Sequence, residues 1–600
     1  MCKLLNVLLF CVLLASSCSQ REVCLLETEL FENYGGWIRE DQFYDCMGSS
    51  YLMAHGKGFP VSDASTTFTL PAQGVWHVWV RTYNWNAPWD ESQAPGLFSL
   101  IIDGVTLADS LGCAPSEWGW VKAGMIDVEH RKIDVALHDL TGFNGRCDAI
   151  CFTRSENIAA EEIERQSKIV GHYDTYDLIV AGGGMAGLSA GVAASRLGLK
   201  ALIVQDRPVL GGNSSVEAKI TILGSICKPP YENMGRVTAE YGRPYKNPQR
   251  LDSLILTESG LDVLYSHRVI GAEVEDGKIK AVTAIDFNTG IQHVYKGRYF
   301  VDATGDGALG FLAGAEYMIG QETRDQYDED LAPEKSEGLS YGSTLKWYAE
   351  NDPDATSTFP VCPWAIQFNE DTVNDVMKSK WWWETGFYKD QIKDIEQIRD
   401  SWLRYIYGNW AYLKNNEPYK TKYAHSYLDF VATVLAKRES RRLRGDIVFS
   451  QNDILREEWR QYDDPAVLCS YPVDQHLPIG EFKSIQKHGH NPPGPLEAKI
   501  PGVNVNHPYM LPYRCLYSSN VDNLFMAGRD ISVTRIALAS SRVMGSTSMM
   551  GEAVAIAASL CVEKNCNPRD LYLNHLEELL AAFKKGTPAR HDVVFNDIPF

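Results

Sequence analysis

The stretch from Tyr176 to Ser215, YDLIVAGGGMAGLSAGVAASRLGLKALIVQDRPVLGGNSS, constrains the fold more than any other part of the chain. A short apolar run, Leu178 to Ala181, leads into Gly182, Gly184 and Gly187 in GxGxxG spacing. An alanine-rich helix follows to about Leu197, and a second apolar run, Ala201 to Val204, closes a strand-helix-strand unit. In such a unit one glycine permits the tight turn, one lets a pyrophosphate approach the backbone, and one lets helix and strand pack closely. The helix start offers unpaired N–H groups and the positive end of its dipole to the phosphates. Asp206 lies roughly 20 residues beyond the last glycine, where an acid can bind a ribose.

Upstream, residues 1–18 read as an export signal: Lys3 precedes an apolar stretch from Leu4 to Ala15, too short to span a bilayer. Ala15-Ser16-Ser17-Cys18 is lipobox-like, with Leu14 one position early, so a lipid anchor at Cys18 is the one membrane attachment expected. The protein is then exported, periplasmic or anchored at the outer membrane. The chain has 14 cysteines, and no run of them has the spacing of an iron-sulfur site. Export would permit disulfides, but sequence alone does not pair them. A formal charge of −20 argues against nucleic acid as partner.

Residues 19–155 carry short alternating runs: Thr66 to Leu70, Val75 to Arg81, Leu97 to Ile102, Lys132 to His138 and Ala149 to Thr153. Asp103-Gly104 is a hairpin signal. This predicts an all-β jelly-roll sandwich. Seven of the fifteen tryptophans fall there; Trp76 and Trp79 are expected in the core, whereas Trp85 and Trp89, in a polar loop, suit core or sugar stacking equally. Glu156 to Tyr173 reads as a helical linker. Residues 170–317 form the first part of the nucleotide domain, including a β-meander with turns at Asp276-Gly277 and Asn288-Thr289-Gly290, and the strand end YFVDATGDG. Residues 318–495, rich in aromatics, read as a helical cap or substrate domain; 496–575 return to the nucleotide domain through NLFMAGRD and a small-residue helix from about Thr547; 576–600 are a tail.

GGGMAG, the ATGDG end at Ala303 to Gly307 and the AGRD end at Ala527 to Asp530 occur in the order that resembles FAD-dependent oxidoreductases of the glutathione-reductase type. QDRPVLGGNSS, RESRRLRGD and LPYRCL resemble a narrower branch: exported bacterial flavoproteins with an N-terminal carbohydrate-binding-like sandwich, some labelled xanthan lyase. The implied fold is an α/β Rossmann-like FAD-binding domain with an inserted aromatic-rich cap, preceded by the sandwich.

The resemblance implies that Gly182, Gly184, Met185, Ala186 and Gly187 receive the pyrophosphate. Gln205 occupies the place of the family's ribose-binding acid, with Asp206 next. Arg207, Gly211, Gly212, Asn213 and Ser214 follow the loop towards the isoalloxazine, Val269 meets adenine, Ala303, Thr304 and Gly305 line the second strand end, and Asp530 binds the ribityl chain. The helix near Thr547 would aim its positive end at the flavin, worth roughly 0.3 to 2 kcal/mol.

A flavin that dehydrogenates an alcohol needs a base for the hydroxyl proton, and histidine suits that role near neutral pH. His476, in YPVDQHLP, and His507, in NVNHPYMLPYR, are the candidates; His488 and His490 read as surface residues. Arg442, in KRESRRLRGD on an expected helix, is a candidate for an acidic or polyhydroxy substrate, and Glu217 for the flavin edge. No second GxGxxG unit and no spaced metal-ligand motif is read from the sequence, so the electron acceptor stays unassigned. The function these features imply is oxidation of a carbohydrate or related polyhydroxy compound, with hydride passed to flavin N5. The alternatives are a flavin-assisted polysaccharide lyase working by oxidation and elimination, and a non-catalytic glycan-binding surface protein. A fumarate-reductase type is disfavoured by the sandwich and the lack of a haem or quinone motif.

Overall fold

Leu178, Ile179, Val180 and Ala181 are wholly buried because they end the central strand of the molecule, Ile169–Ala181, which has a parallel neighbour on each side. The computed structural model describes residues 23–157, 168–381, 383–456, 462–478, 496–499, 503–505 and 507–595. The signal-like segment, His488 and His490 lie outside them.

The central sheet runs in the order Leu261–Tyr265, Ala201–Gln205, Ile169–Ala181, Gln292–Asp302. These four strands are parallel, as expected of runs that are apolar on both faces. The long strand Gln292–Asp302 divides its free edge. Its first half pairs with Lys278–Asp286 of the antiparallel meander, and its last residues pair in parallel with Leu524–Met526. The meander turn at Asp276-Gly277 has positive φ at both residues, the geometry that Asp-Gly hairpins favour.

Helix Met185–Arg196 returns the chain over this sheet and packs against Met544–Lys564. A Cβ on Gly551 would lie 2.0 Å from the Ala186 carbonyl oxygen, so the alanine and glycine content of both helices is what lets them touch. The second helix begins three residues before the Thr547 expected from sequence.

The N-terminal residues form two four-stranded antiparallel sheets, one from Val23–Glu27, Ala149–Thr153, Gly74–Thr82 and Gly119–Val128, the other from Ala64–Thr69, Lys132–Asp139, Phe98–Ile102 and Val105–Leu111. Trp76, Val78 and Val80 alternate inward to meet Leu100, Val135 and Leu137 in one core. Asp103 and Gly104 turn the expected hairpin, both at positive φ.

Two sequence expectations are corrected here, and one left open is decided. Ile169 to Tyr173 extends the central strand instead of a helical linker, because its edge pairs with Gln292 to Val294. Among the described residues the cap contains one long helix, Ile395–Asn415, while much of the remainder is extended or irregular. Trp85 is core: it is 1% exposed, donates from Nε1 to the Phe143 carbonyl at 2.9 Å and meets Trp364 edge-on.

That last contact is part of a larger one. Tyr51, on a strand of a third, three-stranded N-terminal sheet, the loop residues Trp85 and Phe143, and Trp347, Trp364, Trp402, Tyr405 and Tyr407 of the cap belong to one continuous hydrophobic core. Beside it, fully buried Arg146 makes a two-pronged pair with Asp400 at 2.9 and 2.6 Å, and Arg399 reaches Glu40 at 3.1 Å.

Candidate active site

The parallel strands end together on one side of the sheet, where an open α/β sheet places its ligands. A cleft there is lined by Gly182 to Ala186, Gln205 to Arg207, Gly212, Asn213, Glu217, His267 to Val269, Ala303 to Asp306, Lys437, Gly528, Arg529, Arg542, Met544 and Thr547. One lining residue, Gln42, comes from the N-terminal region; its amide donates to the Thr433 carbonyl at 3.0 Å and to Glu40 at 2.8 Å.

The glycines divide the labour that the motif predicts. Gly182 takes φ 94°, and a Cβ there would lie 2.5 Å from the Ala303 carbonyl oxygen. A Cβ on Gly187 would stand 1.9 Å from the Gly182 carbonyl oxygen, so this residue is the helix-strand contact. Gly184 differs from both: its nearest neighbour would be the Gly212 Cα at 3.9 Å, which leaves open space directly before the helix. Among the described residues no side chain caps that helix N-terminus. Its first N–H groups therefore face the cleft, as a pyrophosphate site requires.

Gln205 is spent within the protein. Its Oε1 accepts from the Gly183 N–H at 2.6 Å and its Nε2 donates to the Val209 carbonyl at 3.0 Å. Asp206, at the cleft wall, holds Arg268 at 3.2 Å. Burial raises the Asp206 pKa, against the opposing pull of Arg268 and Arg207. Of the two residues it is Asp206 whose carboxylate is available to a ribose. Arg207 is pinned by Glu217 at 2.7 Å and lies 3.8 Å from Asp41 of the N-terminal region. Gly211, at φ 106°, donates its N–H to the Gly183 carbonyl at 2.9 Å, and Ser214 is buried behind it; neither lines the cleft.

Asp530 also sits behind the wall. One carboxylate oxygen accepts from Gly305 N–H at 3.1 Å and Gly307 N–H at 3.4 Å, and the other has no partner among the described residues. Burial, then the adjacent Asp302, push its pKa well above the ordinary carboxylate range. Its neighbours Gly528 and Arg529 are the residues of AGRD that line the cleft. There Asp306 sits between Lys437 at 2.5 Å and Arg529 at 3.5 Å. Burial alone would raise the Asp306 pKa, but these two cations outweigh it and hold it at about 2. Lys437, Arg529 and Arg542 were not singled out in the sequence; the arginine directly after Gly528 at the AGRD strand end was the available signal for Arg529.

The three catalytic candidates are not brought together. His476 is buried, its Nδ1 against Glu384 and its Nε2 2.9 Å from Asp474. Asp474 lies 3.6 Å from Arg542, a residue that lines the cleft, so His476 is one carboxylate and one arginine away from it. His507 is exposed and does not line the cleft. Arg442 lies in the short strand Arg442–Leu443, not on a helix, and is buried against Glu322 at 2.5 Å and Glu439 at 3.1 Å. Those two carboxylates neutralise it where it stands.

FAD fits this cleft. Two buried donors, Nη1 of Arg529 and Nε of Arg542, lack hydrogen-bond partners among the described residues. Unmatched donors, an open glycine approach and an uncapped helix are what a dinucleotide with an anionic pyrophosphate and an electron-rich flavin edge would use.

The model of the FAD dependent oxidoreductase family matches residues 177–580. Over 62 residues, 10% of this chain, the sequence is 37% identical to fumarate reductase (cytochrome) of Shewanella frigidimarina, and the match spans 11% of that protein. Among solved structures, a geranylgeranyl bacteriochlorophyll reductase-like protein of Thermoplasma acidophilum is similar at 13% identity over 69% of this chain and 83% of that one, with a TM-score of 0.30. A family 35 carbohydrate binding module from Clostridium thermocellum is similar at 14% identity over 22% of this chain and 96% of that one, with a TM-score of 0.18.

Proposed function

The chain belongs to the FAD dependent oxidoreductase family, and from that premise we propose that it is an exported enzyme oxidising a carbohydrate or related polyhydroxy compound. Bound FAD supplies the hydride acceptor. The observation that carries the substrate class is the polar inner end of the cleft. Arg542 stands at the wall with Asp474, His476, Glu384 and Arg438 stacked behind it, alternating donors and acceptors of the kind that hydroxyl groups engage.

In this reading Arg542 and Lys437 orient substrate hydroxyls. The Asp474 carboxylate takes the proton lost from the reacting hydroxyl, and His476, whose two ring nitrogens face Asp474 and Glu384, donates to Asp474 and holds it in place. A positioned acid-base group of this kind contributes about 10² to 10⁴ in rate. The N-terminal sheets support a carbohydrate reading less directly. Their tryptophans Trp76 and Trp85 fill cores, so sugar contact on that region would have to use other residues.

The test is an anaerobic visible spectrum of the FAD-loaded protein before and after a panel of mono- and oligosaccharides, with mass analysis of products. Bleaching of the oxidised flavin band with a keto product establishes the dehydrogenase. Unsaturated fragments from an unbleached flavin would replace it with the lyase reading, and sugar binding with neither would leave a glycan-binding protein.

A further inference from the structure

Two adjacent strands of the meander and the long strand beside them gather imidazoles and a carboxylate at one edge of the cleft. His267 and Asp286 are direct partners in the antiparallel pair formed by His267–Glu275 and Lys278–Asp286. His293, on the next strand, opposes Ala284, two residues from Asp286. Side chains two apart share a sheet face, so all three project to the same side. Their ligand atoms lie within 4.8 Å of one another, and all three residues are half-buried.

Two contacts around them resemble the outer hydrogen bonds of metal-binding imidazoles. The His267 Nδ1 is 2.8 Å from the Tyr265 carbonyl and 4.0 Å from an Asp286 carboxylate oxygen, both acceptors, so Nδ1 carries the proton and Nε2 keeps its lone pair. His172, stacked on Tyr295 with ring centroids 4.5 Å apart, places its Nε2 3.0 Å from Nδ1 of His293. That contact is met if His293 donates from Nδ1, which frees its Nε2 in the same way.

We propose that His267, Asp286 and His293 bind one borderline divalent transition ion of the zinc class, with His172 holding His293 in its ligating orientation. Two imidazoles and a carboxylate form a donor set that suits zinc and leaves a fourth position for water. Bonds of roughly 2.0 to 2.2 Å require the three donors to close in by rotamer adjustment, which half-buried side chains at a sheet edge can make. No spacing motif announces the site, because the ligands are joined by strand register and not by a local loop. Its place in the molecule gives it a role: His267 lines the cleft next to Arg268, the partner of Asp206, so an ion here would stiffen the wall against which adenosine is expected.

The experiment is calorimetric titration of the chelator-treated, FAD-loaded protein with zinc sulfate, with metal analysis after gel filtration. One zinc per chain is expected. His267→Gln, His293→Gln and Asp286→Asn should each weaken binding by at least about tenfold, and His172→Gln by roughly tenfold. His138→Gln, which alters an exposed histidine paired with Asp63, should change nothing. Unchanged affinity in the His267 and His293 variants, or less than one ion per chain, overturns the proposal. Should those variants fail to fold, anomalous scattering at the zinc edge from zinc-soaked wild-type crystals decides: a peak among His267, Asp286 and His293 supports the site, and a peak elsewhere or none refutes it.

Discussion

Replacing Gly184 by alanine should separate flavin affinity from fold stability. The backbone at Gly184 has φ −63°, which any residue adopts, and an added Cβ would have no neighbour closer than 3.9 Å. The flavin-free protein should therefore tolerate the change. Gly→Ala at a compatible position stabilises by about 0.4 to 1 kcal/mol through the unfolded chain, so its melting temperature should hold or rise slightly. The open space before the helix is where the pyrophosphate must come. A methyl group there would push it off the uncapped N–H groups, and charge-assisted hydrogen bonds are worth roughly 1.5 to 3 kcal/mol each. Loss of one or its equivalent predicts FAD affinity lowered by about 10- to 100-fold, at 1.4 kcal/mol for each tenfold. The assay pairs quenching of FAD fluorescence on titration with thermal melts of the flavin-free protein. Gly187→Ala is the contrast: with its Cβ 1.9 Å from a carbonyl oxygen, it must displace the helix and lose about 1 to 3 kcal/mol of stability together with FAD. Undiminished FAD affinity in Gly184→Ala would refute the placement of the pyrophosphate.

His476→Gln should leave flavin content intact while slowing flavin reduction by a sugar substrate by about 10² to 10⁴, read by anaerobic stopped flow. Asp306, held at about 2, stabilises the fold above the unfolded carboxylate value and loses that contribution as pH falls towards 2. In acid titrations of the flavin-free protein, Asp306→Asn should remove about 2 kcal/mol of that dependence, measured by urea melts. Arg146→Ala leaves Glu40, Glu396 and Asp400 to share Arg399 alone at the buried boundary with the cap, an excess of buried negative charge that should cost about 3 to 5 kcal/mol in thermal unfolding.

The nucleotide unit was legible because its information is local: a strand, three glycines and a helix are adjacent in sequence and need only each other. Asp206 and Gln205 were both visible as ribose candidates. What distinguishes them is not local: the Gly183 N–H and the Val209 carbonyl occupy the Gln205 amide from either side of the loop. The basic run at Arg438 to Arg444 was misread because arginines at helical spacing look the same whether a helix or distant acids accept them. Here Glu322, more than a hundred residues away, holds Arg442 in an extended segment. The cap's aromatics were seen but their partners were not, since Trp364 and Tyr407 meet Phe143 across the chain. Asp530 was found by motif, yet its side chain faces backward to Gly305 while Arg529 takes the cleft, a choice set by the local turn.

The aromatic core shared by the N-terminal sheets and the cap bears on how this polypeptide can be cut or inherited. A chain lacking the first 155 residues would bare Trp364, Tyr407 and the acids that face Arg146, a wet apolar wall prone to clumping. Expression of the flavin half by itself should therefore yield insoluble protein, and heating the whole should melt both halves in one step. Recombination that swaps the front end among relatives would have to carry the matching cap with it.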